Sequence, residues 1–153
     1  MRRLIELARA ESANLGDETT SLAEAVALLP TDNRLAVVIA GGAETRFRMS
    51  PENAAIAIAN LLDNSARHGA RHFSLSAAST GDTVTIAAAD DGDGISPANR
   101  ARIFQPFFTT RRDSGGTGMG LGIIAALAKA HQGTARLAEA AKGARFEIEL
   151  PAA

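Results

Sequence analysis

Half of this chain's glycines crowd into one stretch. "DDGDGISPANRARIFQPFFTTRRDSGGTGMGLGI", from Asp90 to Ile123, holds seven of fourteen glycines, three of six phenylalanines and the adjacent pair Arg111-Arg112. Glycine loses more backbone freedom on ordering than any other residue. A segment this rich in it is mostly neither strand nor helix, and the remaining chain must supply the core. It has the means: 153 residues with a hydrophobic fraction of 46% suit one globular domain. With no cysteine, disulfides and thiolate metal sites are excluded. No apolar run is long enough to cross a bilayer, and "MRRLIELARAES" lacks a signal-peptide core, so a cytoplasmic location is expected. A net charge of −1 argues against a nucleic-acid partner.

Periodicity organises the rest. Leu4, Ile5, Leu7 and Ala8 have helical spacing within 2–12. Residues 14–20 look like a linker with a capping signal, and 21–30 like a helix stopped by Pro30. The stretches 34–42 and 44–49 suggest a hairpin turning at Gly41-Gly42. Ser50-Pro51 opens a helix over 51–67, with Gly69 beyond its end. Paired strands are expected at 71–79 and 82–90, a short helix at 97–104, a helix at about 120–131, and a closing hairpin from "TARLAEA" and "ARFEIELP". Paired strands with helices between them predict an α+β fold, one sheet under one helical layer.

Three segments carry polar chemistry. In "NLLDNSARHG", Asn60 and Asn64 stand four apart and Arg67 three further on, so they share a helix face. Amide oxygens suit Mg²⁺ shared with phosphates, and an arginine can bind a phosphate oxygen. Alone, such a face is more often just solvated. In "ADDGDGI", a strand ends at Asp90 and Gly92 and Gly94 follow. A carboxylate accepts from an exocyclic amine but not from a carbonyl, so Asp90 can select adenine over guanine. A plain acidic turn is the simpler alternative; EF-hand spacing fails, for no glutamate stands at the twelfth position. "GGTGMGLGI" leads into a helix, whose first N–H groups can cradle an anion, although no lysine completes a P-loop.

In this order and spacing, over about residues 17–151, the sequence resembles the ATP-binding catalytic domain of sensor histidine kinases, a superfamily shared with DNA gyrase, MutL and the heat-shock chaperone ATPases. "NLLDNSARHG" looks like the family's asparagine box, "DDGDGI" like its first glycine box, "IFQPFFTT" like its phenylalanine box, "GTGMGLGI" like its second glycine box and "GARFEIELP" like its closing strand. The resemblance implies a two-layer α/β sandwich of the Bergerat type: a mixed, mostly antiparallel sheet covered by helices on one face. It divides the chain into a helix tail and linker from a dimerisation region, 1–16, and an ATP-binding catalytic domain, 17–153. ATP and Mg²⁺ are the implied cofactors.

By the same match Asn64 would hold Mg²⁺, with Asn60 beside it. Arg67 would contact phosphate, and His68 would lie near base or ribose. Asp90 would bind adenine N6, with Gly92, Gly94 and Ile95 along the base. Gly116, Thr117, Gly118, Met119, Gly120 and Leu121 would line the phosphates, with Arg111 or Arg112 reaching the γ-phosphate. Residues 109–118 would form a lid anchored by Phe104, Phe107 and Phe108. The ATP-hydrolysing branches carry a glutamate four residues before the magnesium asparagine; Asn60 stands there and cannot take a proton at neutral pH. The implied activity is protein-histidine kinase, with the acceptor histidine on separate dimerisation helices, since none of His68, His72 and His131 has the acceptor's setting. A response regulator would act downstream, and the domain itself would touch no membrane. Two departures stand out: Ala144 replaces a usual Thr or Ser, and Asp91 a usual Asn. The alternatives are a serine kinase of the anti-sigma-factor type and a nucleotide-binding interaction module without transfer activity.

Overall fold

Two periods, one of strands and one of helices, meet in a single apolar layer. The computed structural model describes residues 4–5, 17–30, 35–105 and 120–153. Its elements are β1 (Thr19–Ser21), α1 (Leu22–Ala27), β2 (Val37–Gly41), β3 (Arg46–Arg48), α2 (Pro51–Arg67), β4 (Phe73–Thr80), β5 (Thr83–Asp90), α3 (Gly120–Ala130), β6 (Thr134–Ala138) and β7 (Arg145–Pro151). Five strands form one sheet in the order β2-β4-β5-β7-β6, antiparallel except for the parallel pair β2·β4.

Alternation sets the register. Phe73, Leu75 and Ala77 on β4 share a face with Ala88 and Ile86, which lie opposite Leu75 and Ala77 on β5. On β7, Phe146, Ile148 and Leu150 pair with Ala88, Ile86 and Val84 and extend the same apolar row. A one-residue slip would turn this whole row to solvent. The opposite face carries Ser74, Ser76 and Thr85, and an Arg136–Glu147 ion pair at 2.7 Å.

Among the described residues, the helices cover the apolar face. Leu22 and Ala25 from α1, Ile58, Leu61 and Leu62 from α2, and Ile123, Ile124 and Leu127 from α3 are all buried in one core with the sheet row. Each fully buried Leu, Ile or Phe stabilises the fold by about 1.5–3 kcal/mol. The architecture is the expected α+β sandwich, a mixed sheet under helices on one face.

Local signals place α2. The Ser50 side chain accepts from the Asn53 N–H at 3.2 Å, and Pro51 takes the first helical turn, where a missing N–H costs nothing. At α1, Ser21 and Glu24 form a reciprocal capping box. Of the helix expected at 2–12, only Leu4 and Ile5 lie within the described residues; both are helical and half exposed.

Two expectations are corrected. The stretches 34–42 and 44–49 do not form a hairpin. β2 runs parallel to β4, which puts Val37 opposite Phe73 and Ile39 opposite Leu75 in the apolar row. β3 instead pairs with β1, inside the expected linker, setting buried Thr20 against buried Phe47. Gly42 makes the parting possible: its φ is +68°, its carbonyl accepts from the Thr45 N–H at 3.1 Å, and a Cβ there would run into the Ala77 carbonyl. The short helix at 97–104 is a run of turns, with i→i+3 bonds such as Arg102 N–H to Asn99 O at 2.9 Å. With Ile103 as its one fully buried apolar side chain, this segment has too little packing to offset helix nucleation.

Gly42→Ala should therefore destabilise the chain by about 2 kcal/mol or more, from a left-handed residue driven into a backbone carbonyl. Gly41→Ala, which meets nothing within 4 Å, should stay within about 0.5 kcal/mol of the parent. Urea denaturation of the two variants checks the contrast.

Candidate functional site

The site is built where α2 ends against the end of β5. Helix α2 closes in a Schellman turn: Ala70 N–H bonds to Ser65 O at 3.0 Å and Gly69 N–H to Ala66 O at 3.2 Å, with Gly69 at φ +78°. The loop after β5 completes the cap, Asp93 N–H donating to His68 O at 2.9 Å. Asp90, the last residue of β5, lies beside this helix end. A helix C-terminus disfavours a nearby anion by about 0.3–1 kcal/mol. Three donors outweigh that. Ser65 Oγ–H donates to Asp90 Oδ2 at 2.6 Å, while Gly92 N–H and Ala144 N–H donate to Oδ1 at 2.9 and 3.2 Å. Hydrogen bonds to a charged group are each worth about 1.5–3 kcal/mol.

The glycines near Asp90 are demanded by packing within the protein. A Cβ on Gly92 would lie 2.7 Å from His68 O. Gly94 has φ +76°, and a Cβ there would lie 3.0 Å from Gly143 O. Gly143 in turn has φ +69°, and a side chain on it would strike the Asp90 carbonyl. Two loops thus meet backbone to backbone and seat the carboxylate. Ile95 packs partly buried against the core next to them.

Asn60 and Asn64 occupy successive turns of α2, as expected, but in different surroundings. Asn60 is only 2% exposed. Its Nδ2–H donates to Ile56 O at 2.8 Å, and its Oδ1 is buried without a hydrogen-bond partner among the described residues. That oxygen points at the first turn of α3, 3.4 Å from where a Cβ of Gly120 would be. Asn64 is half-buried, and its amide takes part in no hydrogen bond formed among the described residues. Arg67 is anchored by its Nε–H to Asp63 Oδ2 at 2.9 Å. His68 caps α2 with its backbone, and Leu121 packs partly buried on the core. No three His, Asp or Glu side chains cluster as a metal site among the described residues. The fitting donors are amide oxygens. One such oxygen is enough for Mg²⁺, which keeps several waters and shares phosphates.

The structure sets two groups along α2: Asn60 Oδ1 faces Gly120, and Asp90 with Gly92 lies against the helix end, where Gly94 meets Gly143; Asn64 is on the helix between them. Arg111, Arg112, Gly116, Thr117, Gly118 and Met119 lie outside the described residues, as do Phe107 and Phe108. Phe104 stacks edge-on against Phe146 with centroids 6.2 Å apart, a core contact at the foot of the expected lid. Sequence reasoning missed Ser65 and Gly143. Ser65 had a signal: it falls on the stripe of Ile58, Leu61 and Leu62, and a hydroxyl buried there needs a partner.

Known proteins share the family and the fold. Residues 49–153 match the family described as histidine kinase-, DNA gyrase B- and HSP90-like ATPase. The sensor histidine kinase CpxA of Escherichia coli is 36% identical over 100 residues, which span 62% of this chain and 22% of CpxA. The sensor-like histidine kinase SenX3 of Mycobacterium tuberculosis is 30% identical over 186 residues, spanning 99% of this chain and 45% of SenX3. The chain thus spans less than half the length of these relatives. The crystal structure of the ATP-binding domain of PrrB from Mycobacterium tuberculosis superposes with a TM-score of 0.70 at 26% identity, covering 90% of this chain and 99% of that one.

Asp91 serves the scaffold. Its Oδ2 lies 2.6 Å from His72 Nδ1, and its Oδ1 accepts from the N–H groups of Arg71 and His72 at 2.8 and 2.9 Å. The His72 ring and then the two backbone donors hold its carboxyl well below the usual carboxylate range. A depressed folded-state pKa gives stability that is complete above the unfolded value, about pH 4, and lost as pH falls below it. The stability gap between the parent and Asp91→Asn should therefore shrink as pH drops from about 6 to about 2.5. Urea midpoints across that range check it; a constant gap contradicts the pairing.

Proposed function

The chain belongs to the histidine kinase-, DNA gyrase B- and HSP90-like ATPase family, and from that premise we propose that it is the Mg-ATP-binding catalytic domain of a sensor histidine kinase, passing the γ-phosphoryl group to a histidine on separate dimerisation helices. The observation that carries this reading is the Asp90 carboxylate. Three internal donors hold it at the end of β5, one of them from Ser65, the residue after Asn64 on α2.

Each residue then has a task. Asp90 accepts from the 6-amino group of adenine, and the loop through Gly92, Gly94 and Ile95 lies along the base with His68 near it. Asn64 offers its amide oxygen to Mg²⁺. Arg67, fixed at Nε by Asp63, contacts phosphate. Gly120 and Leu121 open α3, whose first N–H groups favour phosphate oxygens, and Gly116, Thr117, Gly118 and Met119, just before them in sequence, are assigned to the same phosphates. Arg111 or Arg112 reaches the γ-phosphate. When bound, ATP supplies the phosphoryl group and Mg²⁺ neutralises its charge. The chain's own part is to orient both, which is most of what phosphoryl transfer asks of a protein.

Position 60 argues for transfer over hydrolysis. Its amide, bonded to Ile56 O, cannot accept a proton, whereas a positioned general base is worth about a hundredfold to ten-thousandfold. The partners under this proposal are the dimerisation helices of the same or a second kinase and a downstream response regulator. The reaction takes place in the cytoplasm, and no helix among the described residues is long and apolar enough to cross a membrane.

Incubation with γ-labelled ATP, Mg²⁺ and a histidine-bearing dimerisation helix pair supplied in trans tests the proposal. Acid-labile label on the helix pair is expected, lost in Asn64→Ala, with very slow phosphate release from the chain alone. Acid-stable label would point to a serine kinase instead. Release at about ten turnovers per second or more, a typical enzymatic turnover, would mean an ATPase with another base.

A further inference from the structure

Ser65 stands inside the asparagine box but receives no role from the resemblance, yet it makes the shortest hydrogen bond to the Asp90 carboxylate. We propose that Ser65 is a specificity-determining positioning residue: its buried hydroxyl fixes Asp90 Oδ2 as the acceptor that reads the amino edge of the base. The inference rests on the nucleotide reading above and deepens it.

An ionised carboxylate offers about four acceptor directions, two on each oxygen. On Asp90, Oδ1 has both filled, by Gly92 N–H and Ala144 N–H. Oδ2 has one filled, by Ser65 Oγ–H at 2.6 Å. The remaining direction for a ligand donor is thus on Oδ2, and Ser65 defines where it points. Ser65 is 1% exposed, so it reaches no ligand and acts through Asp90.

Its own placement is firm. Its carbonyl accepts from Ala70 N–H at 3.0 Å and from His68 N–H at 3.2 Å in the turn that ends α2. Serine is a small residue with a single hydroxyl proton, and burial leaves that proton no water to bond. The geometry therefore commits it to Asp90. Ala144, on the other side of the carboxylate, gives only its backbone N–H. Ser65 is the one side-chain hydroxyl bonded to Asp90 among the described residues. Without it, Oδ2 would keep no internal donor and the carboxylate could turn about the bond that Oδ1 holds.

The test compares ATP with purine riboside 5′-triphosphate, which lacks only the 6-amino group, by calorimetry with Mg²⁺ on the parent chain and on Ser65→Ala. Alanine is the better helix former, and a melting curve confirms that the variant folds. The parent should prefer ATP. In Ser65→Ala the ATP affinity should fall about tenfold, the lower end for a lost hydrogen bond to a charge, while the analogue changes less than about twofold, the scale of an indirect effect. Ser65→Cys, which keeps the bulk and weakens the donor, should shift the ratio in the same direction. An equal fall for both nucleotides, or no fall for either, overturns the assignment and leaves Ser65 a packing residue. A parent chain that binds both nucleotides equally overturns the reading of Asp90 itself, and the Ser65 assignment with it.

Discussion

Everything at this site depends on one carboxylate. Asp90 ties the end of α2 through Ser65, its own loop through Gly92, and the start of β7 through Ala144. Its backbone N–H also bonds to Ala144 O at 3.0 Å, carrying the β5–β7 ladder one step past its last pair. A charge beside a helix C-terminus is out of place electrostatically. It persists because three donors outweigh a dipole term of about 1 kcal/mol or less. A group held against its preferred environment by so many contacts is well suited to reading a ligand, since little remains to be ordered on binding.

The scaffold around it is made of close backbone approaches. Gly92 lies against His68 O, Gly94 against Gly143, and Gly143 against Asp90. These glycines leave no room for side chains whether or not a base is present. At 92 a nearby carbonyl alone forbids a Cβ, whereas at 94 and 143 a positive φ and a facing backbone atom both favour glycine. Asn60 is the counterpoint. Its Oδ1 is buried without a partner among the described residues and faces the first turn of α3, and such an atom costs about 1–3 kcal/mol. Unpaired polar atoms of this kind persist at functional sites, and this one lies where α3 leaves the glycine-rich segment.

Much of this was legible in the sequence where local signals agree with the packing. Ser50-Pro51 and Gly69 bracket α2, and alternation marks β4, β5 and β7. Asp90 was legible because a strand ends on it and glycines follow. All but one of the failures have one cause, contacts far apart in sequence. β3 pairs with a three-residue strand at 19–21, and β2 with β4, so no hairpin rule applies to either. Residues 97–104 had a helical composition but only turns in the structure, for the packing that would extend a helix is lacking. Ser65 and Gly143 were missed because the residue they both pack against, Asp90, lies 25 and 53 positions away.

The most direct test of this account is a calorimetric comparison of ATP with GTP binding to the unaltered chain in Mg²⁺. A carboxylate fixed as an acceptor at the base edge should favour the amine of adenine over the carbonyl of guanine by about tenfold or more, or at least about 1.4 kcal/mol. Equal affinity for the two nucleotides would contradict it, for then Asp90 would be holding the loops together without reading the base.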